Sequence, residues 1–468
     1  MNERYARMAV AAIFFLYVLY IRVYDIADTF LMLGEQTRDW AIALGGITEL
    51  PLTGAPSTAG GRGFGPVYYW LLWLGRHLVG PFADFLPHAG GITVALLQSI
   101  ADTWLLLVLW RRVGAPLALA MCLVIASAPF DIAISSVIWN PPVAAALIKM
   151  ASAMALSLGE APSRWQLAVT AMLAWCAVQA HLSAVFVAAP LLLALVAADL
   201  QVRRGSGGIG EPGGSSPHEE GSSRQARLRR AGVTAGLVAG VILVLQIPYF
   251  MAAIGDPAAP MGPTAAISSM ANTAAFQLDR SYGSVVNGTG ELLVRQFDAW
   301  RFQIPTLVAA IIVVVRWRRD IVLLAASIGA VAAATILFAT WTRGYDSYWF
   351  LTLTPAMVLT YGMAIAALPS RIAIHAAGGV LLAGTLLLQP GRIDQSQAFF
   401  KYPPYRTMRI ASYELAARAP VLRDIRVNFE GVHPTMDKYF IYRILGGRID
   451  PSAPQQAYVN GDGSVRID

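Results

Sequence analysis

The sequence predicts a polytopic α-helical membrane protein of about eleven transmembrane helices, with a small external α/β appendage over residues 390–468. Three observations lead there. Of 468 residues, 56% are hydrophobic and only 13% are charged, about half the charged share of an average soluble domain. The apolar residues gather in runs close to the roughly 20 residues that a helix needs to cross a bilayer. Arginines stand on alternate turns between those runs, as the positive-inside rule expects of cytoplasmic loops.

The runs fall at residues 8–25, 90–110, 115–131, 142–158, 165–181, 183–200, 231–250, 303–317, 321–340, 350–368 and 371–389. The basic start MNERYAR leads into an apolar run that ends in IRVYD without a small-residue cleavage site, so the first span reads as retained. Arg111 and Arg112, Arg164, Arg203 and Arg204, Arg227–Arg230, Arg316–Arg319 and Arg371 then share one side, which places the N-terminus in the cytoplasm and the C-terminus outside. On this reading residues 26–89 form one long first external loop. Its segment GPVYYWLLWLGRHLVGP is apolar but short and carries Arg76 and His77, so it reads as a re-entrant or interfacial helix. Counting it as a span would invert every later loop.

Between Arg203 and Arg230 the chain is rich in Gly, Ser and Pro and reads as a mobile cytoplasmic linker over 201–230. Residues 251–300 form a second large external loop with a helix expected around GELLVRQFDAW. After Gln389 the composition turns polar. The tail shows a helical pattern in YRTMRIASYELAARA, a strand in IRVNF, a second helix in MDKYFIYRIL and a last strand in AYVN. The chain thus divides into a transmembrane domain, 1–389, and a small external domain, 390–468. A formal charge of +7 suits loops facing anionic membrane lipids, and basic residues scattered among spans give no nucleic-acid surface. Cys122 and Cys176 both sit in apolar runs, which leaves neither a disulfide framework nor a CxxC metal site.

The stretch LGEQTRDWAI (Leu33–Ile42) places three charges just past the first span. On a helix, residues four apart share a face, so Glu35 and Asp39 would point the same way with Arg38 beside them. Two acids so placed suit a base and a ligand for a divalent ion such as Mg or Mn. The same spacing also suits a juxtamembrane amphipathic helix with Trp40, Ile42 and Leu44 toward lipid. Farther on, Arg62 sits in a glycine cluster that can bring backbone N–H groups near an anion, or that is simply a flexible loop. His181 lies between two spans and reads as a pocket residue; without a second His or Cys nearby it gives no zinc site. Asp131, Trp139 and Asn140 fall at an outer turn. Asp102 and Lys149 lie inside apolar runs, where an ionisable residue marks either function or a buried pair. Among the outer arginines, Arg343 in WTRGYDSYW is the first choice for a phosphate contact, with Tyr345 and Tyr348 beside it; an interfacial anchor is the alternative.

These motifs, taken in order, resemble the GT-C membrane glycosyltransferases, in particular the protein O-mannosyltransferases and the lipid A aminoarabinose transferases. The resemblance rests on the acid-Gln-x-Arg-Asp box at 35–39, PL-x-G-x-PS at 51–57, and GP-x-YYWLL at 65–72 with Tyr68 and Tyr69. It continues through SSVIWNPP at 135–142, QAHLSAVFVAAP at 179–190 and TRGYDSYWFLTLTPAM at 342–357. It implies transfer of a sugar from a polyprenyl-phosphate carrier to an envelope lipid, glycan or protein at the outer face of the cytoplasmic membrane. No organic cofactor is implied. By position, Glu35 matches the acid that the family uses in catalysis, with Asp39 as the second acid. Most relatives have Asp at the first position, and several carry a further acid before the proline of the second block, where this chain reads GRGFGP. The alternative class is a lipid or sugar transporter or flippase, which would also use many spans and outer arginines; paired halves and a Walker A motif are both missing from the sequence.

Overall fold

The computed structural model describes residues 3–468 except 31–33, 57–60, 85, 160–161, 202–216, 256–276, 295–298, 340–345, 398–404, 419–423, 431–446, 451 and 461–463. Arg343, Tyr345 and the helix expected at 436–445 lie outside the described residues. Helices run in chain order as α1 (Glu3–Val23), α2 (Ile26–Thr29), α3 (Gly34–Ala43), α4 (Val67–Leu78), α5 (Leu86–Val113), α6 (Ala115–Ala126), α7 (Pro129–Ser135), α8 (Asn140–Leu156), α9 (Arg164–Ala180), α10 (Val185–Ala198) and α11 (Pro217–Gly255). They continue as α12 (Leu278–Leu293), α13 (Gln303–Trp317), α14 (Ile321–Phe338), α15 (Thr354–Ile365), α16 (Arg371–Leu387), α17 (Gln389–Gln397) and α18 (Tyr405–Arg418).

Every apolar run expected to span is helical. Among the described residues, five segments are long and apolar enough to cross a bilayer: α1, α5, Gln225–Gly255 of α11, α14, and Tyr348–Ile365, which joins a 3-10 turn to α15. The number is seven if the bent pairs α6/α7 (60°) and α16/α17 (49°) each make one span. The other four, α8, α9, Leu182–Ala198 and α13, are shorter than 18 residues. At 1.5 Å per residue such helices reach about 25 Å, somewhat less than the hydrocarbon core. Large apolar side chains such as Ile304, Leu307, Ile311 and Val315 of α13 face outward, as lipid-contacting residues do. The molecule is a multi-pass α-helical membrane protein.

Local sequence explains the breaks. Gly114 adopts φ 84°, a left-handed conformation that favours glycine, and so turns α5 into α6 within one residue. Pro129 disfavours helix at its predecessor and ends α6 at the α7 bend. Of the linker read over 201–230, residues 202–216 lie outside the described residues and the chain is helical from Pro217 onward, because the span that follows propagates its helix back through EEGSSRQARLRR. Of the helix expected around 290–300, residues 295–298 lie outside the described residues and the part up to Leu293 belongs to α12. Its glycines lower helix propensity, but Gly288 and Gly290 let Phe350 and Phe302 pack where any Cβ would collide.

The tail forms four strands, β1 (Asp424–Glu430), β2 (Arg448–Ile449), β3 (Gln455–Asn460) and β4 (Val465–Ile467), in the order β2-β1-β3-β4. β1 is parallel to both β2 and β3, and β4 closes antiparallel on β3. Ala411 and Leu415 of α18 pack with Ile425, Ala457, Val459 and Val465 in a small core of their own. α18 also rests against α2.

Inside the bundle four charges meet. Arg22 Nη2 lies 2.6 Å from both Asp102 Oδ2 and Asp131 Oδ1, and Lys149 Nζ lies 2.7 Å from Asp102 Oδ1 and 3.7 Å from Asp131 Oδ2. Ser99 accepts from Arg22 Nη1 and Ser135 donates to Asp131. No side chain of the four is more than 3% exposed. Asp131, read from the sequence as a residue of an outer turn, belongs to this cluster. The pairing joins α1, α5, α7 and α8 and leaves no net charge.

Removing one partner strands an uncompensated charge, a loss of about 3–5 kcal/mol. Lys149→Met and Asp102→Asn are each expected to lower thermal stability in detergent by that order, and the double variant to recover part of the loss. Additive losses in the double variant would show that the two groups do not act as a pair.

Candidate functional site

The site is built on α3. Arg76 of α4 donates to the carbonyls of Ala43, Leu44 and Gly45 at the C-terminal end of α3, where a cation suits the negative end of the helix dipole. Trp40 is wholly buried. The helix is thereby held against α4, and its two acids come to differ. Glu35, on the first turn, is exposed and accepts at Oε2 from Trp139 Nε1 at 3.0 Å. Asp39, one turn deeper, is 1% exposed, and its Oδ1 accepts from Arg38 Nε at 2.8 Å and from Tyr69 at 3.1 Å. Burial pushes the Asp39 carboxyl above the usual range, against the opposing pull of the Arg38 guanidinium 2.7 Å away. Tyr68 and Tyr69 are buried on α4; burial and the neighbouring Asp39 raise both phenols.

Glu35 opens onto a cavity of about 50 Å³. The cavity wall brings together Arg62 from the glycine loop, Asn140 at the start of α8, His181 between α9 and α10, and Tyr348 of the 3-10 turn Ser347–Leu353. Five expected site residues from distant stretches thus converge. Arg38, Asp39, Tyr68 and Tyr69 do not line the cavity; the Asp39–Tyr69 bond ties α3 to α4.

Each wall has its own cause. Gly54 donates to Gly63 and Gly63 to Ala55, and a bridge pairs Pro56 with Arg62. Gly61 at φ 68° supplies the left-handed residue beside Arg62. Gly54 and Gly63 approach so closely that a Cβ on Gly54 would lie 3.0 Å from the Gly63 backbone. Asn140 Nδ2 donates to the Ala180 carbonyl at 2.9 Å, tying α8 to the end of α9. Trp139 and Tyr348 pack ring on ring at 4.7 Å, and His181 meets Tyr348 edge-on at 6.0 Å.

The contacts of His181 favour one tautomer. Its Nδ1 accepts the Ser183 backbone N–H at 3.4 Å and lies 2.8 Å from the Ser183 hydroxyl. A nitrogen that accepts from an amide carries no proton, so the ring proton sits on Nε2. Burial lowers the pKa of His181 to about 4. The signal for this arrangement was present in QAHLSA, but the sequence does not show which nitrogen faces the cavity. Glu35's partner Trp139 was legible only as a residue of the same turn.

Asp39 Oδ1 is already paired with the Arg38 guanidinium, which leaves Asp39 poorly placed to share a metal with Glu35. Among the described residues no three His, Cys, Asp or Glu side chains come together. Mg²⁺ is often bound by one or two carboxylates together with substrate phosphates, so Glu35 alone is the residue that would hold such an ion.

No protein-family model matches the chain, and no curated protein matches its sequence. Its fold matches solved structures. ArnT from Cupriavidus metallidurans bound to undecaprenyl phosphate superposes with a TM-score of 0.53 at 14% identity, covering 97% of this chain and 92% of that one. The same protein in the apo state gives 0.55 at 13% identity with the same coverage. The chain shares the fold of these structures.

The depressed His181 pKa has a sign. Between pH 6.5 and about 4 the unfolded chain binds the extra proton and the folded chain does not, so His181 favours folding above this window and the benefit is lost as pH falls through it. His181→Gln should flatten the fall in melting temperature across that window. Identical pH profiles for variant and wild type would place His181 in water.

Proposed function

We propose that the chain moves a sugar from a polyprenyl-phosphate carrier to an envelope lipid, glycan or protein at the outer face of the cytoplasmic membrane. In this reading the chain crosses eleven times, its N-terminus is cytoplasmic, and the Glu35 cavity and the tail face outward. The observation that carries the reading is the convergence of Glu35, Arg62, Asn140, His181 and Tyr348 at one end of the bundle. The undecaprenyl phosphate bound to ArnT, whose fold this chain shares, supports a carrier of that class.

The chemistry follows from the groups present. An acceptor hydroxyl attacks the anomeric carbon, its proton passes to Glu35, and the bond from that carbon to the phosphate oxygen breaks, releasing the polyprenyl phosphate. Trp139 holds Glu35 Oε2, which leaves Oε1 for the acceptor proton. Arg62 presents a guanidinium fork to the departing phosphate, and the neutral His181 donates from Nε2 without adding charge. Arg343, five residues before Tyr348 in the chain, is the second phosphate ligand of this reading. A phosphate leaves without protonation, so a single carboxylate suffices. Asp39 acts through Arg38 and Tyr69 by holding α3. A cavity of about 50 Å³ admits little more than water.

Glu35→Gln should lower turnover by roughly 10²-fold or more, the usual range for losing a general base. Asp39→Asn should lower it less. Purified protein given radiolabelled polyprenyl-phosphate sugars and envelope acceptors reads both, and wild-type turnover in the Glu35 variant would sink the proposal.

Donor affinity should fall about tenfold or more in Arg62→Ala and in Arg343→Ala, since a hydrogen bond to a charged group is worth roughly 1.5–3 kcal/mol. Arg343→Lys keeps the charge without the fork and should fall between. Titration in nanodiscs measures this; unchanged affinity in a variant removes that arginine from the site.

A further inference from the structure

Away from the Glu35 cavity, two bent helix pairs meet. α6 turns into α7 by 60° around Ser127, α16 turns into α17 by 49° at Leu388, and α17 packs on α7. A chain of hydrogen bonds runs through the meeting point. Tyr17 of α1 donates to Gln389 Oε1 at 2.8 Å, Gln389 Nε2 donates to Ser127 Oγ at 2.8 Å, and Arg392 Nη1 donates to the same oxygen at 3.0 Å. Ser127 donates its own proton to the Leu123 carbonyl. Its hydroxyl thus makes all three bonds open to it, and the network ends in the guanidinium of Arg392.

This arginine differs from others drawn into the bundle. Arg22, Arg38 and Arg112 each pair with a carboxylate. No carboxylate among the described residues pairs with Arg392. Asp394, two residues on, is exposed and falls on a different face of α17. A side chain that only snorkelled would turn its head to water. Arg392 instead turns inward, with Nη1 on a residue that is 0% exposed, and no described group takes Nε or Nη2. A guanidinium half withdrawn from water without a countercharge is costly, and an anion from outside the chain lowers that cost.

The surroundings give the source of the anion. Leu386, Leu387 and Leu388, immediately before Gln389, are exposed, as are Leu16 and Tyr20 on either side of Tyr17. Exposed leucines that give way to tyrosines mark the level where acyl chains end and head groups begin. Arg392 stands one helical turn past the last of these leucines, roughly 6 Å farther along, which is the depth of a lipid phosphate. Its planar fork matches two phosphate oxygens. With no carboxylate beside it to receive a choline or ethanolamine cation, it favours a lipid whose only charge is the phosphate.

We infer that Arg392, held in place by Ser127 and Gln389, binds the phosphate of an anionic glycerophospholipid of the phosphatidylglycerol type. The site lies at the end of the bundle that bears Glu35, since α1 runs from Tyr17 toward α3 and α7 runs from Ser127 toward Trp139. The phosphate supplies the countercharge that the seam between α1, α7 and α17 lacks.

The test uses the full chain in nanodiscs of phosphatidylcholine with a minor share of phosphatidylglycerol. A benzophenone amino acid in place of Leu388 captures neighbouring lipid, which mass spectrometry identifies. Captured lipid should be enriched in phosphatidylglycerol about tenfold over the bulk mixture, as one hydrogen-bonded charge pair provides. Arg392→Gln should bring capture to the bulk ratio, and Arg392→Lys, which keeps the charge without the fork, should fall between. The same probe in place of Leu243, exposed on α11, should report the bulk ratio in wild type and variants alike. Millimolar glycerol 1-phosphate, which has the head group without the chains, should not compete. The inference is overturned if capture at Leu388 matches the bulk ratio, if Arg392→Gln keeps the enrichment, or if Leu243 shows the same enrichment. Competition by glycerol 1-phosphate would also overturn it, because the site would then belong to a soluble phosphate ester.

Discussion

The cluster of Arg22, Asp102, Asp131 and Lys149 is the constraint on which the rest of the arrangement depends. Charges at this depth are tolerated only when paired, and here two cations and two acids come from four different helices. A cluster of this kind fixes rotation as well as contact, because a helix turned by one residue would carry its charge into lipid. Once α1, α5, α7 and α8 are locked, their ends are set. α1 leads into the loop that bears Glu35, and α8 begins at Asn140 beside Trp139. The cavity is therefore positioned by electrostatics well away from its own walls.

Above that lock two cavities differ in character. The Glu35 cavity is small and walled in part by the tilted rings of Trp139 and Tyr348, while the groove along α12 is wide and lined with carboxylates. A narrow site protects a reaction that water would otherwise intercept. One short turn, Ser347–Leu353, forms a wall of both, so its position bears on the two cavities together.

Much of this was legible in the sequence, for physical reasons that can be stated residue by residue. Apolar runs reveal helices because lipid leaves the backbone no other way to satisfy its hydrogen bonds. Glu35, Asn140, His181 and Tyr348 were each marked by a polar group at the edge of such a run. The opposite fates of Glu35 and Asp39 were not legible, since a four-residue spacing gives a shared face but not what covers it. Arg22 was also missed. At the end of its run it looks like a side chain reaching for water, and its partners lie 80 and 109 residues away. Glycines in α12 pointed away from a helix, because propensity says nothing of Phe302 and Phe350 arriving from elsewhere.

The contact between α18 and α2 closes a long circuit in the chain. α2 is made among the first 30 residues, and α18 begins at Tyr405. During synthesis the membrane helices can insert and the buried charges can pair while the segment next to the acid-bearing helix still lacks its neighbour. At 5–20 residues per second, about 20 to 75 seconds separate the two elements. The first loop is thus the last part of the membrane domain to be finished, and a ribosome that stops short of the tail releases a protein that is inserted but incomplete where its chemistry would begin.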